Sequence, residues 1–378
     1  MSTETRGPLQ VARQQQLLEA LHRDGALRVS DLSTALGAAP VTIRRDIAQL
    51  AAQGLVRRVH GGVALITTEP PAIPAQGTPV AGDDPVPAQP RAGRMVGMLV
   101  PSLEYYYPDV ARGAEEAARE LDLKLVLRGS SYESEDDRPQ LARLVDRMHV
   151  NGLVVAPRMD AATTPRTLEW LAGTGLPVVL LERTAAIGPH HAVMESVVTD
   201  HALGAAMAVR HLASLGHRRV GLVLPRRSPT RPHVRRGWVE ASTECGLDID
   251  ATVDMDVPDV SEANIDLALD QVLDRALATG TTALLVHADA QAIALVQHCE
   301  ERHLAIPRDL SIVAYDDEVA GLFTPPLTAV RPPRRSIGRA AMRLVADRLA
   351  DPDLPAHRVI ISPSLRVRES TAPPHRRR

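Results

Sequence analysis

The sequence predicts an α/β protein with a small helical head and a body of two lobes, each built on a doubly wound parallel sheet. Three observations predict this fold class. The first 54 residues carry three short amphipathic stretches with helical spacing, followed by apolar alternation around Gly61-Gly62. A proline-rich segment then interrupts the pattern. From Gly93 onward, short runs that are apolar on both faces alternate with helical segments, which is typical of parallel strands covered by helices.

The head is predicted to contain three helices and a hairpin. The first helix covers residues 9–23, and Gly25 follows it as a stop signal. Ser30 is a favourable N-cap for a second helix, and Pro40 occupies the first turn of a third. The segment LVRRVHGGVALI then alternates about its two glycines, which predicts a two-stranded hairpin. This order of elements predicts a winged helix-turn-helix domain over residues 1–66.

The head and the body are joined by a segment of unusual composition. Residues 67–92 hold seven prolines in 26 positions and no aromatic residue, so they are predicted to form an extended, semi-stiff linker. The body is expected over residues 93–370, with a basic tail at 371–378. The chain is expected to pass between the two lobes near residues 199, 329 and 359.

Composition narrows the class of protein. The chain of 378 residues is 44% hydrophobic and 24% charged, as in soluble globular proteins. It has no apolar run long enough to span a membrane, and its N-terminus does not read as a secretory signal. Cys245 and Cys299 belong to no CxxC pair, so we expect neither a disulfide scaffold nor a zinc site. These features are typical of a cytoplasmic protein.

A basic head on an acidic body indicates polyanion binding at one end. Residues 1–66 carry a net charge of +3, whereas the whole chain carries −3. Within GAAPVTIRRDIAQLAAQGLVRRVHGG, the residues expected to reach DNA lie at the start of the third helix and along the wing: Thr42, Arg44, Arg45, Arg57, Arg58 and His60. An amphipathic helix with solvated arginines is the alternative explanation.

The TIRRD string and the RxHGG wing resemble the DNA-binding domain of the deoxyribose-operon-repressor (DeoR) family. The resemblance covers about residues 9–66 and implies a transcription regulator that binds operator DNA. Ala38-Ala39 depart from the usual Val-Ser before the recognition helix. Losing a serine cap costs about 1 kcal/mol, which Pro40 offsets in part.

The body carries a second resemblance, to the effector-binding domain of lactose-repressor (LacI/GalR) regulators and to periplasmic sugar-binding proteins. Its supporting strings run from about residue 94 to 370 and include HVNGLVVAP, PVVLLERT, VVTDHALGA, HLASLGHRRVGLV, IPRDLSIVAYDD and PPLTAVRPPRRSIGRAA. The resemblance implies a homodimer that binds a small effector between two lobes. A sugar is the expected effector; a sugar phosphate or another metabolite stays open. Repression relieved by the effector is the expectation from the family, and an effector that promotes DNA binding is the alternative.

Two groups of residues at strand ends are expected to contact the effector. Tyr105, Tyr106 and Tyr107 follow the first strand of the body, and the last two match an aromatic pair of the family that suits the faces of a sugar. Packing on the lobe surface is the alternative. Arg183 follows PVVLLE, where related sugar binders use an arginine fork, and a structural salt bridge with Glu182 or a neighbour competes with that role.

Asp289, Asp200 and Arg231 are further candidates. Asp289 matches the family's acidic residue that accepts sugar hydroxyls, although Ala288 replaces the usual asparagine before it. Asp200 lies at the expected lobe crossing, where a hinge or helix-capping role is equally expected. The family's arginine before Gly237-Trp238 is Val234 here, so Arg231 or Arg235 is expected to substitute.

Three other positions qualify the pocket. The glutamine that often follows LTxVR is Pro332, Trp238 is expected in the core, and Asp316-Asp317 are expected in structural hydrogen bonds rather than acid-base work. No Walker-type GxxxxGK[ST], GxGxxG, HExxH or GxSxG motif is present, so neither catalysis nor a cofactor nor a metal is expected. A solute-binding protein and an enzyme acting on sugar phosphates are the competing classes. The first would need an export signal, and the second would show turnover.

Overall fold

The computed structural model describes residues 16–17, 20–21, 26–28, 32, 35–36, 42–43, 46–47, 50, 56–59, 62–65, 93–103, 105–130 and 136–375. The chain divides into two compact units, and the boundary falls between the described residues of the head and those of the body.

The head combines helical residues with a small antiparallel sheet. Its strands are β1 (Ala26–Arg28), β2 (Val56–Val59) and β3 (Gly62–Leu65), in the order β1-β3-β2. Seven apolar side chains, each at most 3% exposed, form its core: Leu17, Leu21, Leu32, Ile43, Ile47, Leu50 and Val56. The hairpin β2-β3 is confirmed. A third strand, β1, pairs with β3 and was not predicted, because its three residues are too few to show an alternating pattern.

The first part of the body alternates strands and helices as the sequence predicts. In chain order its elements are β4 (Met95–Val100), α1 (Tyr107–Glu120), β5 (Lys124–Gly129), α2 (Arg138–Ala142) with a following π-helical turn (Arg143–Arg147), β6 (Gly152–Val155), α3 (Thr164–Gly173), β7 (Val178–Leu181), β8 (Ala186–Ile187), β9 (Ala192–Val193) and β10 (Glu195–Thr199).

The second part continues the alternation. Its elements are α4 (His201–Ser214), β11 (Val220–Pro225), α5 (Arg231–Glu244), β12 (Asp254–Val257), α6 (Ile265–Thr279), β13 (Ala283–Val286), α7 (Asp289–Glu301), β14 (Ser311–Tyr315), a 3₁₀ turn (Ala320–Leu322), β15 (Thr328–Arg331), α8 (Arg334–Ala350), β16 (Arg358–Ile361) and β17 (Ser364–Arg366). Within the described residues, no helix is long and apolar enough to cross a membrane.

Two six-stranded sheets define the two lobes. The first lobe has the order β16-β10-β7-β6-β4-β5, and the second has β12-β11-β13-β14-β15-β17. All pairings in these sheets are parallel except that of β15 with β17. Apolar side chains of the first sheet pack against α1 and α8 on one face and against α2 and α3 on the other. The second sheet packs against α4 with α5 and against α6 with α7. The doubly wound fold is therefore confirmed.

The chain crosses between the lobes three times. The crossings lie at 199–201, 331–334 and 361–364, so the last two come slightly later than the sequence indicates. The expected end of the body at residue 370 is too early. His211 bonds to the hydroxyl of Thr371 at 3.0 Å, and His217 bonds to the carbonyl of Ala372 at 2.9 Å. These residues of the expected tail belong to the second lobe.

Glycines permit one close helix crossing in each lobe. A Cβ atom added at Gly338 of α8 would lie 1.9 Å from the carbonyl oxygen of Val110 on α1. A Cβ added at Gly237 of α5 would lie 1.9 Å from the carbonyl oxygen of Ala202 on α4. Backbone meets backbone at both crossings, which leaves no room for any other side chain.

Candidate functional site: the cleft between the lobes

The carboxyl ends of the strands of the two lobes face each other. Tyr105 follows β4, and Asp316 follows β14. The hydroxyl of Tyr105 donates to Asp316 Oδ2 at a distance of 3.2 Å. The backbone N–H of Tyr106 donates to Glu318 Oε1 at 2.7 Å. Ligands of open parallel sheets bind at this edge, at the ends of the strands. The cleft that these contacts close is therefore the candidate functional site.

The tyrosine cluster divides between the cleft and the core. Tyr106 is the N-cap residue of α1 with φ 62°, and its hydroxyl donates to Glu182 Oε1 at 2.5 Å. Tyr107 is 2% exposed and packs in the core of the first lobe, with its ring 5.4 Å from that of Tyr106. The expected effector contact of Tyr107 does not fit this burial, whereas Tyr105 and Tyr106 do lie at the lobe boundary.

Glu182 is a buried carboxylate at the edge of the first lobe where its strands end. It follows β7 with positive φ, and its carboxylate accepts the hydroxyl and the backbone N–H of Thr199 at 2.7 and 2.8 Å. His201 Nε2 lies 3.4 Å from Glu182 Oε2, the oxygen that also accepts the backbone N–H of Thr199. Burial acts to raise the pKa of Glu182, but the hydrogen bond and charge of His201 with the other donors outweigh it and lower that pKa to about 2. The carboxylate is ionised throughout the physiological range.

A buried polar chain continues from Glu182 into the second lobe. His201 Nδ1 lies 3.0 Å from the hydroxyl of Tyr315, whose ring stacks on His287 at 4.8 Å between centroids. His287 Nε2 lies 2.9 Å from Thr230 Oγ1. Burial lowers the pKa of His287 to about 3, so this imidazole is neutral. Since His201 stands at the first lobe crossing, the chain of contacts fixes the geometry of that hinge.

Arg183 is buried beside Glu182, at 7% exposure. Its Nε donates to the carbonyl of Pro157 at 3.2 Å, and its guanidinium also donates to the main-chain carbonyl of Glu182 at 2.7 Å. Both of these acceptors are main-chain oxygens; a structural salt bridge with Glu182 or a neighbour, the alternative expected for Arg183, stays open. Arg183 remains a candidate donor at the ends of β6 and β7.

Asp289 and Asp200 serve local structure. The carboxylate of Asp289 has no exposed surface and accepts four backbone N–H groups of residues 317–320 at 2.7–3.2 Å. A direct contact with an effector, as expected from the sequence, does not fit this arrangement. Asp200 accepts the backbone N–H of Leu203 at 2.9 Å and caps α4, which is one of the two roles expected for it.

Val234 stands where the family has an arginine, and the two arginines expected to substitute for it form ion pairs within the second lobe. Arg231 donates to Asp256 at 2.8 Å, and Arg235 contacts both Asp254 and Asp256. Both guanidinium groups therefore form ion pairs at β12, and the expected effector contact of Arg231 stays a prediction. Trp238 is 2% exposed and donates to the carbonyl of Val220, as expected for a core residue.

Asp316 and Asp317 hold structure, as the sequence indicates. Asp317 is ion-paired with Arg331 at 2.6 Å and with Arg368 at 2.8 Å. Burial raises the pKa of Asp316 to about 7, with the charge of Asp289 adding to the shift.

The residues expected to read DNA are only partly described. Thr42 is helical and half-buried, and Arg57 and Arg58 lie on β2. Arg44, Arg45 and His60 lie outside the described residues.

Several residues of the cleft were missed from the sequence: Glu182 as a hub, His201, His287, Tyr315, Glu318 and Arg334. Glu182 and His287 follow an apolar strand directly, Tyr315 ends β14, and His201 and Glu318 lie two and three residues beyond the ends of β10 and β14. The rule that strand ends meet at one edge, applied to every strand, would have found these. Arg334 carries no such signal, because it starts a helix after a lobe crossing.

Comparison with known proteins assigns both units. A DeoR-like helix-turn-helix domain matches residues 13–69, and a periplasmic binding protein-like domain matches residues 209–371. A DNA-reading head on a two-lobed binding body defines the class of ligand-responsive, DNA-binding transcription regulators.

Curated relatives belong to the same class. An uncharacterized HTH-type transcriptional regulator in the aml 5′ region of Streptomyces limosus is 30% identical over 299 residues, which cover 75% of this chain and 80% of that protein. The regulator DegA of Bacillus subtilis is 26% identical over 74% of this chain and 81% of its own. The regulator reg1 of Streptomyces lividans is 28% identical, over 91% of this chain and 96% of its own length. The chain belongs to the LacI-type family of HTH transcriptional regulators, with a DeoR-like head.

Solved structures agree with this assignment. A LacI family regulator from Enterococcus faecium with bound ribose is 25% identical with a TM-score of 0.61, covering 74% of this chain and 99% of that chain. A second structure is the transcriptional regulator CelR in complex with cellobiose, with a TM-score of 0.63 and 22% identity. The match covers 88% of this chain and 91% of that chain, and it supports the fold alone.

Proposed function

We propose that the protein is a repressor whose binding to operator DNA is released by a small sugar-like effector held between the lobes of the body. The observation that carries the proposal is the cleft itself. Strand ends of both lobes meet there with tyrosines and a buried arginine on one side, and the same chain bears a DNA-reading head. A relative of known structure holds ribose. An effector that promotes DNA binding is the alternative.

Tyr106 and Arg183 are the proposed effector contacts. An aromatic face suits the C–H surface of a sugar ring, and the guanidinium of Arg183 offers several donors to its hydroxyls. Asp200 and Asp289 act in support, since one caps α4 and the other holds a loop at the cleft. A sugar phosphate is the alternative effector, because an arginine at the site also suits a phosphate.

The proposed DNA contacts are Thr42, Arg44, Arg45, Arg57, Arg58 and His60. A single winged helix touches few base pairs, so we propose a homodimer on a palindromic or repeated operator. Closure of the lobes around the effector changes the relative placement of the two heads, because the effector binds the closed state more tightly. A proline-rich linker transmits orientation poorly, so the dimer contacts of the body are proposed to carry the coupling.

A thermal-unfolding screen of the purified protein tests the effector. The panel contains ribose, cellobiose, other mono- and disaccharides and their phosphates. We expect one member to raise the melting temperature and Arg183→Ala to abolish that rise, since ligand binding stabilises only the folded state. Arg166→Ala, on the exposed surface of α3, is the matched control and should keep it.

Two results would contradict the proposal. A melting shift that survives Arg183→Ala would place the effector elsewhere. Chemical turnover of a panel member would favour an enzyme over a regulator.

A further inference from the structure

The loop at Asp316–Ala320, called the clasp loop here, is held rigidly to the second lobe. Asp316 and Asp317 both have positive φ, at 90° and 52°, which side-chain-bearing residues rarely adopt. The four N–H bonds to Asp289 hold this backbone, and the ion pairs of Asp317 anchor it to β15 and to the segment after β17. The clasp loop therefore moves with the second lobe.

The same loop reaches across to the first lobe. Glu318 accepts the N–H of Tyr106, and Asp316 accepts the hydroxyl of Tyr105. Arg334 donates to the main-chain oxygen of Asp316 at 2.6 Å and lies 3.7 Å from the carboxylate of Glu318. Opening of the cleft at this edge must break all of these contacts.

Arg334 is the point on which they converge. It is the first residue of α8, a helix that packs on α1 in the first lobe, and it is 8% exposed. Asp109 of α1 lies 3.7 Å from its guanidinium, and the ring centroid of Tyr106 lies 5.8 Å away. One buried cation is thus shared between carboxylates of both lobes and an aromatic face.

This position is unfavourable for an arginine in isolation. The N-terminus of a helix repels a cation, and a buried guanidinium without partners is costly. The partners that offset this cost on the second lobe, Glu318 and the Asp316 carbonyl, are available only when the lobes are closed. The free energy of closure therefore includes the solvation of Arg334.

We propose that Arg334 is a positioning residue that clasps the two lobes and orients Tyr106, so that the closed cleft is populated before any effector binds. The assignment of Tyr106 as an effector contact rests on the proposed function, but the clasp does not. Its consequence for binding is simple: apparent affinity scales with the fraction of molecules already in the competent state, so losing nine-tenths of the closed population weakens binding about tenfold.

Distances between spin labels on the two lobes test the clasp in the ligand-free, full-length protein. Cysteines are introduced as Glu169→Cys on α3 and Leu267→Cys on α6, both exposed, after Cys245→Ser; Cys299 is fully buried. We expect a short, narrow distance distribution in the parent protein. Arg334→Gln should shift it to longer distances and broaden it, and Arg334→Lys should restore part of the short population because it keeps the charge.

The matched control is Arg335→Gln. This neighbouring side chain is 53% exposed, and its ion pairs within the described part of the body are with Asp109 and Glu116, both on α1, so its loss should leave the distances unchanged. Glu318→Gln removes the negative charge that faces Arg334 from the second lobe and should open the cleft in the same direction as Arg334→Gln. It also serves where Arg334→Gln does not fold.

Unchanged distances in a folded Arg334→Gln variant, or in Glu318→Gln where the first does not fold, would overturn the clasp. An equal opening in Arg335→Gln would also overturn it, because it would reflect general loosening of α8. Either result leaves the effector proposal standing, since sugar binding tests that separately.

Discussion

The crossing of α1 and α8 makes Gly338→Ala the most sharply defined perturbation of the body. The added Cβ would lie 1.9 Å from the carbonyl oxygen of Val110 and 2.7 Å from the backbone nitrogen of Ala114. Ordinary contact begins at 3.4 Å, so the two helices must separate by about 1.5 Å at this point. Both obstacles are backbone atoms of a helix, and no side-chain rotation relieves them.

The expected cost follows from this geometry. Overpacking of this kind costs about 1–3 kcal/mol, and the displaced atoms here are backbone, so we expect the upper end. The gain in helix propensity from glycine to alanine returns roughly 1 kcal/mol, which leaves about 2 kcal/mol of net destabilisation. For a body of this size, that lowers the melting temperature by about 4–8 °C.

Differential scanning calorimetry measures the change. Gly173→Ala at the end of α3 is the control, because an added Cβ there meets nothing within 4 Å, and its melting temperature should stay equal or rise. A Gly338→Ala variant that melts within about 1 °C of the parent protein would refute the reasoning about close packing.

Three further predictions concern the carboxylates of the cleft. The pKa of Glu182 is lowered from 4.5 to about 2, so its carboxylate contributes about 3 kcal/mol to the free energy of unfolding above pH 4.5. That contribution is lost as the pH falls toward 2. The difference in the free energy of unfolding between the parent protein and Glu182→Gln should therefore shrink between pH 4.5 and 2. The pKa of Asp316 is raised from 3.8 to about 7, so its protonated form favours folding below pH 4, and stability should fall by up to about 1.4 kcal/mol per pH unit between pH 4 and 7. Asp316→Asn should remove that slope in urea titrations, and an unchanged slope would contradict the assignment. Asp289→Asn should speed hydrogen exchange at the amides of residues 317–320, while the amide of Leu203, capped by Asp200, keeps its rate; equal rates at 317–320 would show that the charge of Asp289 does not hold the loop.

The fold could be predicted from the sequence because its strands are short and apolar on both faces. Runs such as MVGMLV, GLVVAP and ALLVHAD contain β4, β6 and β13, with neighbouring residues facing the two helical layers. Strand β1 was missed because three residues show no period. The lobe crossings were placed within a few residues, since each follows the end of a strand.

The site could be predicted only in part, because its contacts join residues far apart in the chain. Asp289 was identified because it matches an acidic residue of the family that the body resembles, but its four N–H donors lie 28 to 31 residues later and gave no local signal. Tyr106 and Tyr107 look alike in the sequence. In the structure the two side chains point to different places: Tyr106 lies at the lobe boundary and Tyr107 in the core. Tyr106, just before α1, has a positive φ.

Arg334 shows the same limit most clearly. Nothing in PPRRSIG distinguishes it from Arg335, yet one is buried between the lobes and the other is half exposed. The difference arises only where the chain re-enters the first lobe.

We propose that one chain reads DNA with its head and releases it when the body binds a sugar. A mobility-shift titration of the full-length protein on the DNA upstream of its own gene, at moderate salt, tests this most directly, with and without the sugar that raises the melting temperature. We expect a sequence-specific shift that Arg45→Ala abolishes and that the sugar reverses in the parent protein but not in Arg183→Ala. Binding that is no tighter than to unrelated DNA of equal length, or a specific complex that the sugar leaves unchanged, would contradict the account.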